Sequence, residues 1–287
     1  MTWAVKSFPR MPFFLEAAIL HLSTLVVFIL AKQQRESIRA NLKVIYGDLS
    51  WAEGYVGTFF VFRNFGWAAI DSIRVRYGQD VVTWELEGRE VFEQIRDQGG
   101  AAMLFTTHTG NYDLAGCLFA KEFRRTLHTV RIPERSSHIR EMREQDLRDD
   151  VEKNDGFKVH YNDEDNLLGI ELVRLLSDGE LLAIQCDRVI GDVVALEVPM
   201  PDRDVAFRVP KGPMTLACVS RCPCYPLYVV RERFRHYRVI FEPALEVAGK
   251  RPREMDYAEA WVARLRKFLK QYAHDWFIFE NAFRAKK

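Results

Sequence analysis

The sequence predicts an α/β protein whose sheet carries helices on both faces and whose N-terminal part is helical and hydrophobic. Two observations lead to this class. From about residue 88 onward, short apolar segments alternate with segments of helical period, which is typical of strands and helices that follow one another in a layered sheet. Before residue 88, the apolar residues recur with a helical period.

Composition limits the classes of protein that this chain can belong to. With 287 residues, 48% of them hydrophobic, the chain can bury a sizeable core and is expected to form one large domain. Lys and Arg number 41 and Asp and Glu 40, so nothing in the net charge demands a polyanion, and no nucleic-acid partner is expected. The five cysteines favour buried thiols in a reducing compartment. Cys222 and Cys224 lack a second pair at zinc spacing, so we interpret them as packing residues.

An apolar run occupies residues 12–31 and is interrupted by Glu16 and His21. A spanning helix needs about 20 apolar residues, and a charge near its centre is costly. A true span therefore competes with a tilted, interfacial or partly inserted helix, and an ordinary buried core helix is the remaining alternative. We delimit a hydrophobic membrane anchor at residues 1–31, whose removal should release the remaining domain, residues 32–287.

Two further helices are predicted in a helical subregion, residues 32–87. The first, "RESIRANLKVIYG", has apolar residues on one face. The second opens with Ser50 and Glu53 at the spacing of a capping box. Its aromatic residues surround nearly the whole circumference, so it must be buried or touch lipid. The α/β core follows over residues 88–287 and includes a β-ribbon or loop inserted before a helix, "VVALEVPMPDRDVAFRVPKG".

The segment "FTTHTGNYDLAG" carries His108 and Asp113 five positions apart. On one continuous helix this spacing rotates a side chain by roughly 140°, so the two groups would point in different directions. If His108 instead closes a strand and a helix begins after the turn, the imidazole can meet Asp113 at the carboxyl end of that strand. Gly110 and Asn111 permit the tight turn, and backbone N–H groups at the helix start could stabilise an oxyanion. The alternative is a surface or core histidine beside a favourable helix N-terminal charge.

The motif "HTGNYD" is an H-x4-D motif that resembles the glycerolipid acyltransferase superfamily. Over most of the chain, an ordered series resembles the bacterial lipid A biosynthesis acyltransferase family: the hydrophobic N-terminus, "RESIRANL", "LFTTHTGNYDLAG", "TVRIPER", "LLAIQCDRVIGDVVALEVPM" and "HDWFIFENAF". The resemblance implies a mixed central sheet flanked by helices, with a membrane-associated helical N-terminus. It also implies that His108 is the general base and Asp113 its orienting carboxylate.

The same resemblance implies the reaction and its location. An acyl chain would move from a thioester of acyl carrier protein or coenzyme A to a hydroxyl of a lipid or glycolipid, at the cytoplasmic face of a bacterial inner membrane. A thioester is already activated, so an aligned base and an oxyanion site suffice without metal, nucleotide or covalent nucleophile. In agreement, the sequence contains no P-loop, no G-x-S-x-G and no H-E-x-x-H, and we expect no cofactor.

Three other side chains are candidates for substrate binding. Arg131 follows the strand after the motif helix and could hold a lipid phosphate, an anionic headgroup or the acidic helix of acyl carrier protein. Alternatively, Arg131 lies on a solvated helix face and binds no substrate. Asp187 and Arg188 end the segment "ELLAIQC", where a strand end should face the motif, although the two could simply pair with each other.

Two other functions compete with acyl transfer. A hydrolase of lipid esters would need a nucleophile or metal that the sequence does not provide. A non-catalytic, membrane-bound lipid-binding protein would use His108 and Asp113 only for packing.

Overall fold

The computed structural model describes residues 11–132, 156–162, 167–191 and 193–286. Helices precede a mixed sheet in these residues, and the predicted α/β class is confirmed. The N-terminal helices are α1 Phe13–Leu30, α2 Lys32–Tyr46 and α3 Trp51–Arg76. The capping box predicted for the third helix is present, because Ser50 and Glu53 exchange side-chain and backbone hydrogen bonds.

The central sheet has seven strands in the order β1-β9-β8-β2-β5-β3-β4. Its strands are β1 Thr83–Glu87, β2 Ala102–Thr106, β3 Leu127–Arg131, β4 Phe157–Tyr161, β5 Leu181–Gln185, β8 Cys224–Arg233 and β9 His236–Phe241. All neighbouring pairs are parallel except β8 and β9, so the sheet is mixed. Because β1 belongs to this sheet, the core begins at Thr83, a few residues before the predicted boundary at residue 88.

A second, three-stranded sheet lies beside the first. It contains β6 Ala195–Pro199, β7 Val205–Pro210 and β10 Phe283–Ala285. Strands β6 and β7 pair antiparallel, which confirms the predicted β-ribbon.

Helices cover both faces of the central sheet, as the sequence predicts. They are α4 Arg89–Asp97, α5 Tyr112–Ala120, α6 Leu168–Ser177, α7 Lys211–Ser220 and α8 Glu254–Tyr272, and α8 is followed by a 3-10 turn, Ala273–Asp275. Alternate residues of β2 enter different cores: Met103 and Phe105 pack in one cluster and Leu104 in the other. This alternation is the period of a strand that is buried on both faces. A further helix expected in "HIREMREQDLRDD" lies outside the described residues.

The described cysteines are free thiols in or near the core. Cys186, Cys222 and Cys224 are buried and Cys218 is half-buried. Burial raises the pKa of the Cys186 thiol, and Cys222 together with burial raises that of Cys224. These thiols pack in the interior, as the sequence indicated.

Helix α1 exposes most of its apolar side chains and buries Glu16 and Thr24. Its buried residues are Glu16, Leu20 and Thr24, which share one face at intervals of four residues. On the other faces, Phe14, Leu22 and Leu30 are 68%, 65% and 76% exposed. Among the described residues, α1 is the one helix that is long and apolar enough to cross a membrane by length and composition. Its exposed apolar face excludes an ordinary core helix, which would bury that face.

Buried ion pairs attach α1 to the rest of the protein. The carboxylate of Glu16 is fully buried and accepts hydrogen bonds from Nε of Arg74 at 2.6 Å and from Nη2 of Arg235 at 2.8 Å. Toward the other end of α1, the Phe28 ring packs against Phe59 at 5.8 Å. Helix α1 therefore runs antiparallel along α3. Removing residues 1–31 would leave the buried guanidinium groups of Arg74 and Arg235 without Glu16, so we expect this truncation to destabilise the remaining domain. The division of the chain at residue 31 stays a prediction.

Glu16→Ala should destabilise the protein strongly, because it leaves Arg74 and Arg235 buried without a counter-charge. Breaking a buried ion pair by removing one partner costs about 3–5 kcal/mol in free energy of unfolding. Thermal unfolding of the purified protein in a neutral detergent measures the effect. Glu259→Ala, on an exposed face of α8, is the control and should leave Tm unchanged. Equal Tm values for both variants would contradict the structural role of Glu16.

Candidate active site

The motif turn lies at the carboxyl end of β2 and depends on Gly110. This glycine has φ of +55°, and a Cβ built on it would lie 2.5 Å from the carbonyl oxygen of Val229. A larger residue would be strained both by its backbone conformation and by this contact. The Gly110 N–H donates to the carbonyl of Asp275 at 3.0 Å. The turn that carries His108 is thus held against β8 and the segment after α8.

His108 is oriented by Asp187. Its Nδ1 lies 2.8 Å from Oδ1 of Asp187, and its backbone N–H donates to Oδ2 at 2.8 Å. The reason is the register of β2 and β5, which are parallel neighbours with Thr106 opposite Gln185. Two residues further along both strands, the same register brings His108 level with Asp187.

The Asp187 carboxylate also holds the segment after α8. The indole Nε1 of Trp276 donates to Oδ2 of Asp187 at 2.8 Å. The backbone N–H of Phe277 donates to the carbonyl of His108 at 2.8 Å, and Thr109 forms a β-bridge with Trp276. Asp187 is 1% exposed, so its charge is stabilised by these donors rather than by water. The sequence pointed to this segment only as the family landmark "HDWFIFENAF" and assigned Trp276 no role.

This geometry leaves Nε2 of His108 available for proton transfer. An ionised carboxylate only accepts hydrogen bonds, so the Nδ1 beside Asp187 carries the proton and Nε2 of the neutral ring keeps its lone pair. Within the part of the chain that the structure describes, Nε2 has no hydrogen-bond partner. The His108 side chain is 12% exposed, and the Tyr112 ring packs against it edge-on at 5.3 Å. The imidazole is therefore fixed on one side and open on the other.

Asp113 contacts Arg131 instead of His108. Oδ1 of Asp113, in the first turn of α5, lies 2.6 Å from Nη2 of Arg131, the last residue of β3, and both side chains are half-buried. The described hydrogen bonds include none between Asp113 and His108. The expected His108–Asp113 contact is thus replaced by two contacts: His108 with Asp187, and Asp113 with Arg131.

Gly110 and Asn111 have structural partners. The Asn111 side chain is buried, accepts a hydrogen bond from Oγ of Ser72 at 2.8 Å and donates to the carbonyl of Ala68 at 3.1 Å. These bonds attach the motif turn to α3. The Gly110 N–H and the Asn111 side chain thus hold the turn in place, and the substrate-binding role predicted for these two residues stays a prediction.

Arg188 pairs with Glu280 rather than with its neighbour Asp187. Its guanidinium meets both carboxylate oxygens of Glu280, with Nη2 at 3.2 Å from Oε2. The backbone carbonyl of Glu280 in turn accepts a hydrogen bond from Nδ2 of Asn41 at 2.8 Å. Arg188 therefore fixes the C-terminal segment in which Trp276 also lies.

Asp275 is a second buried carboxylate near the motif. It is 5% exposed and accepts hydrogen bonds from Nδ2 of Asn64 at 3.0 Å and from the backbone N–H of Arg231 at 3.1 Å. Burial raises its pKa to about 7, although these donors and the charges of Arg231 and Arg63 act in the opposite direction.

Two other features lie away from the motif. Among the described residues, Glu85, Glu232 and His236 are the group of three side chains close enough to share a metal ion, with ligand atoms within 4.8 Å of one another. Two of them are exposed carboxylates, and Glu232 pairs with Arg238 at 2.6 Å, so the cluster has an ordinary explanation as surface ion pairs. A groove of about 630 Å³ lies against β1 and α4 and is lined by residues such as Trp84 and Arg89. His108 does not line it.

The fold and the site define an α/β protein with a carboxylate-oriented histidine at the carboxyl edge of its sheet and an exposed apolar helix at its N-terminus. The sequence profile described as bacterial lipid A biosynthesis acyltransferase matches residues 2–285, and the chain belongs to this family. Membership confirms the resemblance and gives the activity in general terms, an acyltransferase of lipid A biosynthesis in a membrane-associated family. A comparison with curated protein sequences gives no match.

Ionisation of Asp275 should lower the free energy of unfolding as the pH rises. Its pKa in the folded protein is about 7, above the ordinary 3.8, so the folded state binds the proton more tightly than the unfolded state. Its contribution is most favourable below about pH 4 and is lost as the pH rises through 7. The Tm difference between Asp275→Asn and wild type should therefore become more positive from pH 4 to pH 8. Parallel Tm profiles would show that Asp275 does not titrate in this range.

Proposed function

We propose that the protein transfers a fatty acyl chain from a thioester of acyl carrier protein or coenzyme A to a hydroxyl of a lipid or glycolipid, with His108 as general base. The observation that carries this proposal is the bond between Nδ1 of His108 and Asp187, which leaves Nε2 with a free lone pair. Family membership supports the reaction class.

The proposed step needs one base and no covalent enzyme intermediate. Nε2 of His108 takes the proton of the acceptor hydroxyl while the hydroxyl oxygen attacks the thioester carbonyl carbon. The buried charge of Asp187 stabilises the resulting imidazolium and keeps the ring in the required tautomer. When the tetrahedral intermediate collapses, the carbon–sulfur bond breaks, the new ester remains, and the thiolate leaves and recovers the proton from the imidazolium.

Arg131 and Asp113 are proposed to serve binding. A guanidinium can bind a phosphate or carboxylate of the donor or acceptor through charge-assisted hydrogen bonds. Asp113 fixes the position of Arg131 at the end of β3, close to the helix that follows the motif. In this proposal Asp113 acts on binding through Arg131, and Asp187 acts on the chemistry through His108.

The exposed face of α1 supports a position on the membrane surface, with the sheet on the cytoplasmic side of a bacterial inner membrane. Helix α1 has 18 residues and a length of about 27 Å, enough to cross the hydrocarbon core only when nearly upright. Because α1 lies along α3, an upright α1 would carry Arg63, Asp71 and Arg74 of α3 into the bilayer. Charges at that depth are costly, so an interfacial orientation is favoured.

His108→Ala should lower kcat by roughly 10²–10⁴-fold, the range typical for loss of a general base. Sedimentation with membranes should remain near wild type. Tm should fall only moderately, because Asp187 loses one of its three donors and keeps the His108 backbone N–H and the Trp276 indole. The measurement is transfer of labelled acyl chain from acyl carrier protein or coenzyme A to mixed lipid acceptors. His21→Ala, an exposed histidine on α1, is the matched control and should keep full turnover.

The same assay separates the competing functions. Turnover that survives in His108→Ala would remove the proposed base. Release of free fatty acid in place of acylated lipid would indicate a hydrolase. Binding of lipid without either product in the wild type would indicate a lipid-binding protein.

Asp187→Asn and Asp113→Asn should affect different kinetic constants. Asp187→Asn leaves an amide beside Nδ1, so it should favour the wrong tautomer and lower kcat by roughly 10²-fold or more. Asp113→Asn removes the charge that holds Arg131, so it should raise KM for one substrate with a smaller change in kcat, and Arg131→Ala should behave likewise.

The reverse outcome would identify Asp113 as the carboxylate that orients His108. If Asp113→Asn abolishes kcat and Asp187→Asn spares it, the imidazole turns toward Asp113 when substrate is bound. Tm values for both variants exclude loss of folding as the cause.

A further inference from the structure

Two arginines, Arg63 of α3 and Arg231 of β8, lie close together on the side of α3 that faces the end of β8. Both are partly buried. The guanidinium carbon of Arg63 lies 4.6 Å from the centre of the Phe60 ring, and that of Arg231 lies 5.2 Å from the centre of the Trp67 ring. Burial, and to a smaller extent the charge of Arg231, lowers the pKa of Arg63, so the two cations repel each other.

Neither arginine has an acidic partner in the part of the chain that the structure describes. No carboxylate oxygen of these residues lies within 4 Å of either guanidinium, and Nε of each is buried without a hydrogen-bond partner. Arg63 donates to Oδ1 of its neighbour Asn64 at a long 3.3 Å. By contrast, the buried guanidinium groups of Arg74 and Arg235 are both paired with Glu16.

The nearest buried acids attract these arginines through space, Asp275 both of them and Asp71 only Arg231, but neither carboxylate forms an ion pair with their guanidinium groups. Both oxygens of Asp275 accept hydrogen bonds from Asn64 and from the backbone of Arg231. Asp71 accepts a hydrogen bond from the Tyr237 hydroxyl at 2.7 Å and lies 3.5 Å from Nε of Arg235. Two like charges without a matched counter-ion are unfavourable in a partly buried site. An anion that binds between them would remove this cost.

The position of the pair indicates where such an anion would come from. The ring of Trp67, beneath Arg231, packs against Phe13 of α1 at 6.1 Å and against Phe234 of the β8–β9 turn at 5.5 Å, and both phenylalanines are exposed. On the other side, the carbonyl of Asp275 accepts the N–H of Gly110 in the motif turn. The arginines thus lie between the apolar surface and the turn that carries His108.

We infer that Arg63 and Arg231 form a binding site for the phosphate group of a membrane lipid. Guanidinium groups bind phosphate oxygens through charge-assisted hydrogen bonds, and both side chains are partly exposed. Headgroup phosphates lie at the edge of the hydrocarbon region, which is the level that the neighbouring exposed apolar residues define. The inference deepens the proposed function and rests on it in one respect, that the bound lipid is the acyl acceptor.

The site is distinct from Arg131. Arg131 ends β3 and is paired with Asp113, whereas Arg231 belongs to β8, on the other side of β2 in the sheet order. The two positions flank the carboxyl end of β2, so an acceptor held at Arg63 and Arg231 leaves the Arg131 side for the acyl donor.

Calorimetric titration of the full-length protein in a neutral detergent tests the site at about 0.15 M salt. The probes are a short-chain phosphatidic acid, the diacylglycerol with the same tails, a fatty acid of similar length and inorganic phosphate. Wild type should bind phosphatidic acid about tenfold or more tightly than diacylglycerol or the fatty acid, and inorganic phosphate much more weakly. Arg63→Gln and Arg231→Gln should each remove this preference.

Arg174→Gln is the matched control, because Arg174 is 84% exposed on α6 and lies 3.9 Å from Asp178. It should keep the preference for phosphatidic acid. Arg63→Gln should also keep or raise Tm, since it relieves repulsion between two cations. A preference that persists in both arginine variants, or that is lost equally in Arg174→Gln, would overturn the site. Equal affinity for inorganic phosphate and phosphatidic acid would overturn its assignment to a lipid.

Loss of lipid binding and loss of turnover can be distinguished. His108→Ala should lose turnover and keep the preference for phosphatidic acid. If the wild type has no transferase activity and still prefers phosphatidic acid, the proposed function is refuted and the lipid-phosphate site stands. If the wild type is active but has no preference for phosphatidic acid, the lipid-phosphate site is refuted and the proposed function stands.

Discussion

The buried carboxylate of Asp187 is the contact on which the arrangement of the site depends. It accepts hydrogen bonds from the backbone and the imidazole of His108 and from the indole of Trp276. One side chain at the end of β5 thereby joins the motif turn after β2 to the segment after α8. Because the carboxylate is shielded from water, each donor matters to the cost of burying its charge. The orientation of the imidazole and the course of the C-terminal segment are therefore set together.

The sequence was sufficient for the class of fold and for the position of His108 at the end of a strand. Alternating apolar segments reveal elements in order, because strand and helix periods are local properties. The partner of His108 is not local. Strands β2 and β5 are neighbours although β3 and β4 lie between them in the chain, and the order of strands in a sheet cannot be read from their periods. The short spacing to Asp113 instead favoured a local partner.

The same limit applies to the membrane-facing part. Hydropathy identifies the apolar run, and Glu16 in it looked like an interruption that weakened a spanning helix. In the folded protein this residue defines the inner face of α1, since Arg74 and Arg235 surround its carboxylate. Conversely, a sequence with balanced charge does not show that Arg63 and Arg231 form no ion pair with the residues that the structure describes. Pairing is a property of the fold, and composition only counts the charges.

The pairing of Glu16 with Arg235 has a consequence for how the chain is made. The two residues are separated by 219 positions, so at about 5–20 residues per second the ribosome needs roughly 10–40 s to supply the second partner. During that interval α1 has exposed apolar residues and an unsatisfied carboxylate, and a membrane surface can cover the former while water solvates the latter. The ion pair with Arg235 therefore closes late, and α1, which precedes the other described helices in the chain, is among the last to be held in place.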